Sequence, residues 1–353
     1  MRVCEGRWLV FDYLLIWLVL AAFGAAFLCT GWLRRYALAR NLLDVPNARS
    51  SHELPTPRGG GVAIVLVVLA GLPLLWWQGG VGGAVLAAFA GAGGLVALVG
   101  WLDDQGHVAA RWRLLVHFAA AIWGLAWLGG LPPLVLAGQA VDLGWLGHGL
   151  AVLYLVWLLN LYNFMDGIDG IAGIEAVTVC GGGVLLGWLF FGADWSAYPS
   201  LGQPALLLAA ATAGFLVWNF PRARIFMGDA GSGFVGLLLG LLSLQAGWLA
   251  PELLWGWLIL LGVFVVDATL TLLRRLLRRQ KVYEAHRSHA YQHAARRHGS
   301  HILVSLAVAA INLLWLLPLA ILVVLGHLDG LAAILLAWAP LVILAFYYQA
   351  GCE

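Results

Sequence analysis

The chain has 353 residues, 63% of them hydrophobic and only 10% charged, with a net charge of +2. Soluble domains run at about 45–50% apolar and about 25% charged residues, so a soluble globule is excluded: its surface could not hide this much apolar area. The net charge itself says little; the argument lies in where the charges fall.

Apolar segments of about 17–25 residues span a bilayer core as helices. Eleven are predicted, at 9–33, 59–77, 81–102, 114–131, 143–161, 171–191, 204–220, 233–249, 253–273, 302–325 and 331–347. The first follows Arg2 and Arg7 and ends at Arg34-Arg35. It is too long for the apolar core of a leader, so it reads as a spanning helix with a stop. The fifth is short and interrupted by His148. The 19 Trp and 45 Gly fit this class, because Trp anchors membrane interfaces and Gly lets helices approach. Cys4, Cys29, Cys180 and Cys352 are scattered without metal-ligand spacing and read as unpaired, with Cys180 a small core residue. The fold class expected is an all-α, polytopic membrane bundle, one domain over 1–353, with no internal repeat and no soluble domain.

Alternate loops segregate by charge. Loops 34–58, 103–113, 163–170, 221–232 and 274–301, with the C-terminal tail, hold 17 of the 19 Lys and Arg. Loops 78–80, 132–142, 192–203, 250–252 and 326–330 hold none; only Arg2 and Arg7 fall on their side. The positive-inside rule places the rich loops in the cytoplasm.

The polar clusters fall on that same face. Loop 44–61 is turn-rich, and its Arg49, His52, Thr56 and Arg58 either meet a phosphate or form a basic anchor. Asp103-Asp104 ends the third span; adjacent carboxylates repel unless a cation compensates, and Arg111 and Arg113 are near in sequence. A solvated helix end is the plain alternative.

Asn160, Asn163, Asp166 and Asp169 recur every third residue. In a helix such residues share a face, which would make a polar stripe; a capped turn is the alternative. Polar groups at membrane depth are expensive and usually line a working cavity. Gly228-Asp229-Ala-Gly-Ser-Gly233 opens the eighth span. A Gly-rich helix start suits phosphate and an Asp there suits Mg²⁺; a plain N-cap is the alternative.

Asp267 lies seven residues before Arg274 in the ninth span, which predicts an ion pair along one face, with a position in a cavity as the alternative. Loop 274–301 carries eight Lys and Arg against Glu284. Within it His286, His289, His293 and Arg297 are spaced for one helical face, with Arg287 offering two parallel donors to a diphosphate. Binding to anionic lipid headgroups is the alternative. Carboxylates for a divalent cation, Gly-rich helix starts and Arg/His clusters on one face together make the equipment of phosphoryl transfer.

Asp103-Asp104, Asn160…Asn163…Asp166-Gly-Ile-Asp169-Gly170 and Phe226-Met-Gly-Asp229-Ala-Gly-Ser232 resemble, as an ordered set, the polyprenyl-phosphate N-acetylhexosamine-1-phosphate transferases. The run Glu284-Ala-His286-Arg287-Ser-His289-Ala-Tyr291-Gln292 looks most like the O-antigen-initiating branch. The resemblance implies that undecaprenyl phosphate attacks the β-phosphorus of a UDP-N-acetylhexosamine at the cytoplasmic face of a bacterial inner membrane, releasing UMP. It implies Mg²⁺, with Mn²⁺ as a substitute, held by Asp229 and Asn163. Asp103 and Asp104 would meet the lipid phosphate or assist the metal, and Asp166 and Asp169 would shape the nucleotide pocket. Phe226 would stack on uracil; His286, Arg287 and His289 would contact the sugar diphosphate. Asn160, Arg49, His52, Thr56, Arg58 and Arg111 complete the substrate-binding set, with membrane lipids around the chain, no nucleic acid, and a homodimer left open.

The peptidoglycan branch carries Lys three residues after the acid pair; here that position is His107. Its triple-His run is also absent, which argues against a muramoyl-pentapeptide substrate. The rival class is a membrane transporter for an anionic substrate. Carriers place their charges near the midplane between repeats; here the acids lie mainly at one boundary.

Overall fold

The computed structural model describes residues 2–46, 54–106, 108–136, 138–192, 198–280 and 286–352, with the side chains of 2–13 and 199 outside the description. Arg49, His52, His107 and Glu284 therefore lie outside the described residues.

Helices dominate. In chain order they are α1 (Arg2–Ala39), α2 (Val62–Trp77), α3 (Gly83–Gln105), α4 (Ala110–Leu128), α5 (Gly144–Met165), α6 (Ile171–Phe191) and α7 (Pro199–Asn219). After them come α8 (Asp229–Leu249), α9 (Pro251–Leu260), α10 (Gly262–Leu277), α11 (Ala290–His298), α12 (His301–Ile311), α13 (Leu317–Val324) and α14 (Gly330–Tyr347). Sheet is confined to two antiparallel ribbons: β1 (Leu43–Asp44) with β2 (Thr56–Pro57), and β3 (Leu134–Leu136) with β4 (Gln139–Val141).

Each predicted span coincides with a helix or a broken helix, but the count of eleven is not reached. Among the described residues eight helices are long and apolar enough to cross a bilayer, or nine if α9 and α10 form one span. Two expected spans fall short. The helix α2 has 16 residues, and α4 opens with Ala110-Arg111-Trp112-Arg113, whose charges dilute its apolar stretch.

The centre of the bundle is α8. Its residues from Ala230 to Gly247 are all buried, as befits a helix apolar on every side. Around it stand α3, α5 and α9, with α2 meeting its first turn. Small residues set the closeness of these contacts: the Cα atoms of Gly61 and Gly231 face each other where any side chain would collide, the device membrane helices use to bring backbones together.

Two spans are interrupted. At Leu261 the chain bends by 65° between α9 and α10. The Trp338 indole of α14 wedges against Gly262 there, where a Cβ would lie 2.7 Å from its nitrogen; an inserted side chain is a recognised cause of a kink. Between α12 and α13 the chain makes a π-helical turn over Asn312–Leu316. Pro318 follows at the start of α13 and has no N–H to continue an α-helical ladder.

The loops predicted to share one face do come together. Pro57 accepts from the Phe226 amide, and Gly60 and Gly61 donate to the carbonyls of Phe226 and Met227. Tyr291 reaches Phe164, and Ser305 reaches Asp169. At the opposite end Trp248 donates to Gly130 and Gln245 to Ser200.

Candidate active site

The polar face has a centre where α3, α4, α5 and α8 meet. Asp103, near the end of α3, accepts the Val108 amide at 2.8 Å and pairs with Arg113 of α4. The same guanidinium nitrogen lies 3.2 Å from Asp229 Oδ2. The other oxygen of Asp229 accepts from Asn163 Nδ2 at 2.9 Å, and that nitrogen also reaches Ser232 Oγ at 2.9 Å. The Asn163 amide nitrogen thus ties Asp229 to Ser232, and Asn163 also lines the cleft beside them. Asp103 and Asp229 share the Arg113 guanidinium.

Asp104 does something different. Its two oxygens accept the amides of Asp229 at 3.1 Å and Ala230 at 3.2 Å. It therefore caps α8 from a neighbouring helix, satisfying donors that a helix start leaves open. The helix start read from sequence as a phosphate cradle is occupied by this carboxylate instead. Gly228, the residue before α8, has φ +78 and ψ 169, a conformation essentially restricted to glycine. A Cβ on Gly228 would also sit 2.7 Å from Asp104 Oδ2. Arg58 holds the same corner through the Asp104 carbonyl.

The polar stripe is only half helical. The helix α5 ends at Met165 and Asp166 is its cap residue, with φ −85 and ψ 57. Asn160 and Asn163 thus share a helical face, whereas Asp166 and Asp169 sit in the loop that follows. Asp166 has its carboxyl pushed up to about 7, first by loss of hydration and then by the negative charges of Asp229, Asp104 and Asp169. Four acids thus lie close enough to raise one of them by their shared charge.

Two cavities flank this centre. A cleft of about 180 Å³ is lined by Arg113, His117, Asn160, Asn163 and Asp229 at its polar end and by Val96, Val99, Leu114 and Leu159 beyond. Asn160 Nδ2 donates to the Val156 carbonyl at 2.7 Å and lies 3.3 Å from His117 Nδ1. The second cavity, about 420 Å³, brings together Thr56, Asp169, Arg222, Phe226 and His301. His301 Nδ1 lies 3.5 Å from Asp169 Oδ2.

The basic loop docks beside both. Asp267 does not pair with Arg274, which bonds the Ala350 carbonyl. It accepts the Ala290 and Tyr291 amides at 2.8 and 2.9 Å, with His289 Nδ1 at 3.4 Å, and so caps α11 as Asp104 caps α8. Because α11 begins at Ala290, His286 and His289 lie outside it and the expected four-residue helical face does not form. His293 turns to the Cys352 carbonyl, and Arg297 covers the Tyr347 ring. His286 and His289 stack at 4.9 Å, and His289 stacks on Phe164 at 6.5 Å. Burial, then the charges of His289 and Arg275, push His286 down to about 3, so His286 is neutral and supplies no charge to a clamp. Arg287 and Arg111 are exposed, the latter over the Trp112 ring.

Sequence reasoning left His117 and His301 unremarked. The signal for His117 was present: it stands four residues after Arg113 in an otherwise apolar helix and so on the same face. His301 carried none, since its partner Asp169 is 132 positions away.

A glycosyl transferase family 4 profile matches residues 86–247, which takes in Asp103, Asn163 and Asp229. A probable undecaprenyl-phosphate N-acetylglucosaminyl 1-phosphate transferase of Bacillus subtilis is 29% identical over 275 residues, covering 73% of this chain and 71% of that one. A decaprenyl-phosphate N-acetylglucosaminephosphotransferase of Mycolicibacterium smegmatis is 31% identical over 62% of this chain, which spans 57% of that relative. A phospho-N-acetylmuramoyl-pentapeptide-transferase of a Synechococcus strain is 31% identical over 258 residues, 69% of each chain. Its fold, its ordered acidic motifs and these relatives agree: the chain is a multi-pass membrane protein and belongs to the polyprenyl-phosphate N-acetylhexosamine-1-phosphate transferases of glycosyl transferase family 4.

Proposed function

We propose that this transferase moves an N-acetylhexosamine 1-phosphate from a UDP-sugar to undecaprenyl phosphate, at the cytoplasmic face of a bacterial inner membrane, to begin an O-antigen or related envelope polysaccharide. The observation that carries this reading is the sharing of Arg113 between Asp103 and Asp229, with the Asn163 amide bonded to Asp229. Hard oxygen donors of this kind suit Mg²⁺. Among the described residues no three His, Cys, Asp or Glu side chains are grouped to hold an ion alone. Mg²⁺ is usually held by one or two carboxylates together with substrate phosphate and water, and the residues here would suit that. Asp229 and Asn163 would hold it, Asp103 beside them; when bound, it supplies neutralisation of the diphosphate charge.

The rest falls to the chain's own residues. The cleft takes the lipid phosphate, its apolar wall following the prenyl chain and Arg113 meeting the headgroup. Arg113 stands in for the cation that the peptidoglycan branch carries at the position of His107. The larger pocket takes the nucleotide, with Phe226 against the base and Asp169 beside it; Arg287 approaches the diphosphate. An oxygen of the lipid phosphate bonds to the β-phosphorus, the bond from that phosphorus to the α-phosphate oxygen breaks, and UMP leaves. A phosphate monoester, with second pKa near ~6, is already largely ionised at neutral pH, so Asp103 and Asp104 need not remove a proton.

The test is product identification by mass spectrometry. Purified protein is given undecaprenyl phosphate, Mg²⁺ and UDP-N-acetylglucosamine, or its deoxy or epimeric relatives. One sugar of the panel yields a polyprenyl-diphospho-sugar in step with UMP. A panel that yields no lipid-linked sugar overturns the assignment.

A further inference from the structure

Three side chains of one helical face meet a single stretch of chain. Beside the His301–Asp169 contact, Ser305 Oγ donates to the Asp169 carbonyl at 2.7 Å. Asn312 Nδ2 donates to Glu175 Oε2 at 2.7 Å and to Thr178 Oγ1 at 2.8 Å. Positions 301, 305 and 312 fall on one side of a helix at 3.6 residues per turn. They form a polar seam from α12 and the π-helical turn after it to Asp169 and α6, running from the 420 Å³ pocket, which His301 and Asp169 line, to the buried Glu175.

The deep end of this seam is costly. Glu175 is wholly buried within a spanning helix and Asn312 is 1% exposed. Glu175 Oε1 and Asn312 Oδ1 both lack a hydrogen-bond partner among the described residues. Buried polar atoms are seldom left unmatched, and acids inside a membrane pair with something. A hydrogen on Glu175 Oε1 donated to Asn312 Oδ1 would satisfy both atoms, and with the observed bond from Asn312 Nδ2 to Glu175 Oε2 would close a two-bond acid–amide ring. Asn312 is also where the π-helical turn begins, its carbonyl accepting the Leu317 amide five residues on. Such turns cost regularity and recur where a side chain has to be placed.

We propose that Glu175 and Asn312 are positioning residues: their acid–amide pair locks α12 onto α6 and so holds His301 against Asp169 at the nucleotide pocket. This rests on the assignment of that pocket to the nucleotide sugar. Neither residue touches substrate; the effect travels along the seam.

The experiment compares E175L, E175Q, N312D and the double variant E175Q/N312D in detergent. It measures UMP release against each substrate in turn, UDP binding by calorimetry and thermal unfolding. Gln at 175 offers an amide N–H where the acid hydrogen was, so E175Q keeps KM for the sugar nucleotide within about twofold. N312D sets two acids face to face and raises that KM, and the Kd for UDP, by about tenfold, with KM for the lipid phosphate unchanged. E175Q/N312D restores the ring with its parts exchanged and recovers both values. If E175L does not fold, the single and double polar variants still decide the matter. E175Q as damaging as N312D, no recovery in the double variant, or equal rises in both KM values would each overturn the proposal while leaving the transferase intact. A wild type that neither turns over nor binds UDP overturns the pocket's assignment and the proposal with it.

Discussion

Asp104 on α3 accepts the backbone amide of Asp229 on α8 at 3.1 Å. The first acid motif thus holds the third one in place, across 125 residues of sequence. Losing a helix cap costs about 1 kcal/mol. D104A is expected to lose about that much stability and most of its turnover, because Asp229 is no longer fixed beside Asn163. D104N keeps one of the two amide bonds and falls between D104A and wild type. Thermal unfolding and UMP release, measured together, check this. A D104A protein of wild-type stability would contradict the cap.

Gly228→Ala tests the same corner from the other side. At φ +78 and ψ 169 a side chain is strained by about 1–3 kcal/mol, and its Cβ would press on Asp104. Expected are lower thermal stability and UMP release near background, with the D104A/G228A double variant no worse than additive. A G228A enzyme with wild-type stability and rate would sink the argument.

Arg113 is shared by Asp103 and Asp229. Removing a preorganised charge from a phosphoryl-transfer site costs about 10²-fold in rate. R113A should lose about that, and R113K should recover part of it, since a Lys supplies the charge without the planar guanidinium. KM for the lipid phosphate should rise more than KM for the sugar nucleotide. Steady-state kinetics in both substrates reads this directly; an R113A enzyme with KM changed only for the nucleotide would place Arg113 elsewhere.

Much of this was legible in the sequence, and its limits have physical causes. Apolar runs near bilayer length showed where helices lie, because each span satisfies its own backbone. They did not show that α9 and α10 bend apart at Leu261, since the wedge is Trp338, far along the chain. The acidic motifs were visible as an ordered set, but their division of labour was not. Asp104 and Asp267 look like catalytic or paired acids by sequence, yet both spend their oxygens on amides of other helices. The stripe from Asn160 to Asp169 breaks at Met165 because Asp166-Gly167 opens a turn there, and period-three spacing alone does not distinguish a helix from the loop that ends it. Glu175 passed as one acid in an apolar span; only its partner Asn312, 137 positions on, gives it meaning.

Asp166 makes the site pH-dependent. Its carboxyl is raised to about 7 in the folded protein against about 3.9 in an unfolded chain. A raised carboxyl favours the folded state fully below about pH 4, and that share is lost as pH rises through about 7. A divalent cation reverses the preference, because it binds the ionised form. Mg²⁺ should therefore bind about tenfold more weakly at pH 6 than at pH 8, and raise the unfolding midpoint more at the higher pH. D166N should lessen this dependence without abolishing it, because the carboxyl of Asp229, beside the charge of Asp104, also answers to pH. An equal Mg²⁺ response at both pH values in the wild type would contradict it.

The charge segregation predicts sidedness. In a background without native cysteines, Arg222→Cys should react with a membrane-impermeant maleimide only in inside-out vesicles. Gln139→Cys, on the β3–β4 ribbon, should react only in right-side-out ones. Labelling of both from the same side would overturn the topology.

The most direct measurement of the central claim is UMP release by wild type and Asp229→Ala side by side, with polyprenyl phosphate, UDP-N-acetylhexosamine and Mg²⁺ each left out in turn. The account predicts release that requires all three in the wild type and is lost by at least about 10²-fold in the variant. Release that persists in Asp229→Ala, or that proceeds without lipid phosphate, would contradict a transfer centred on Asp103, Arg113 and Asp229.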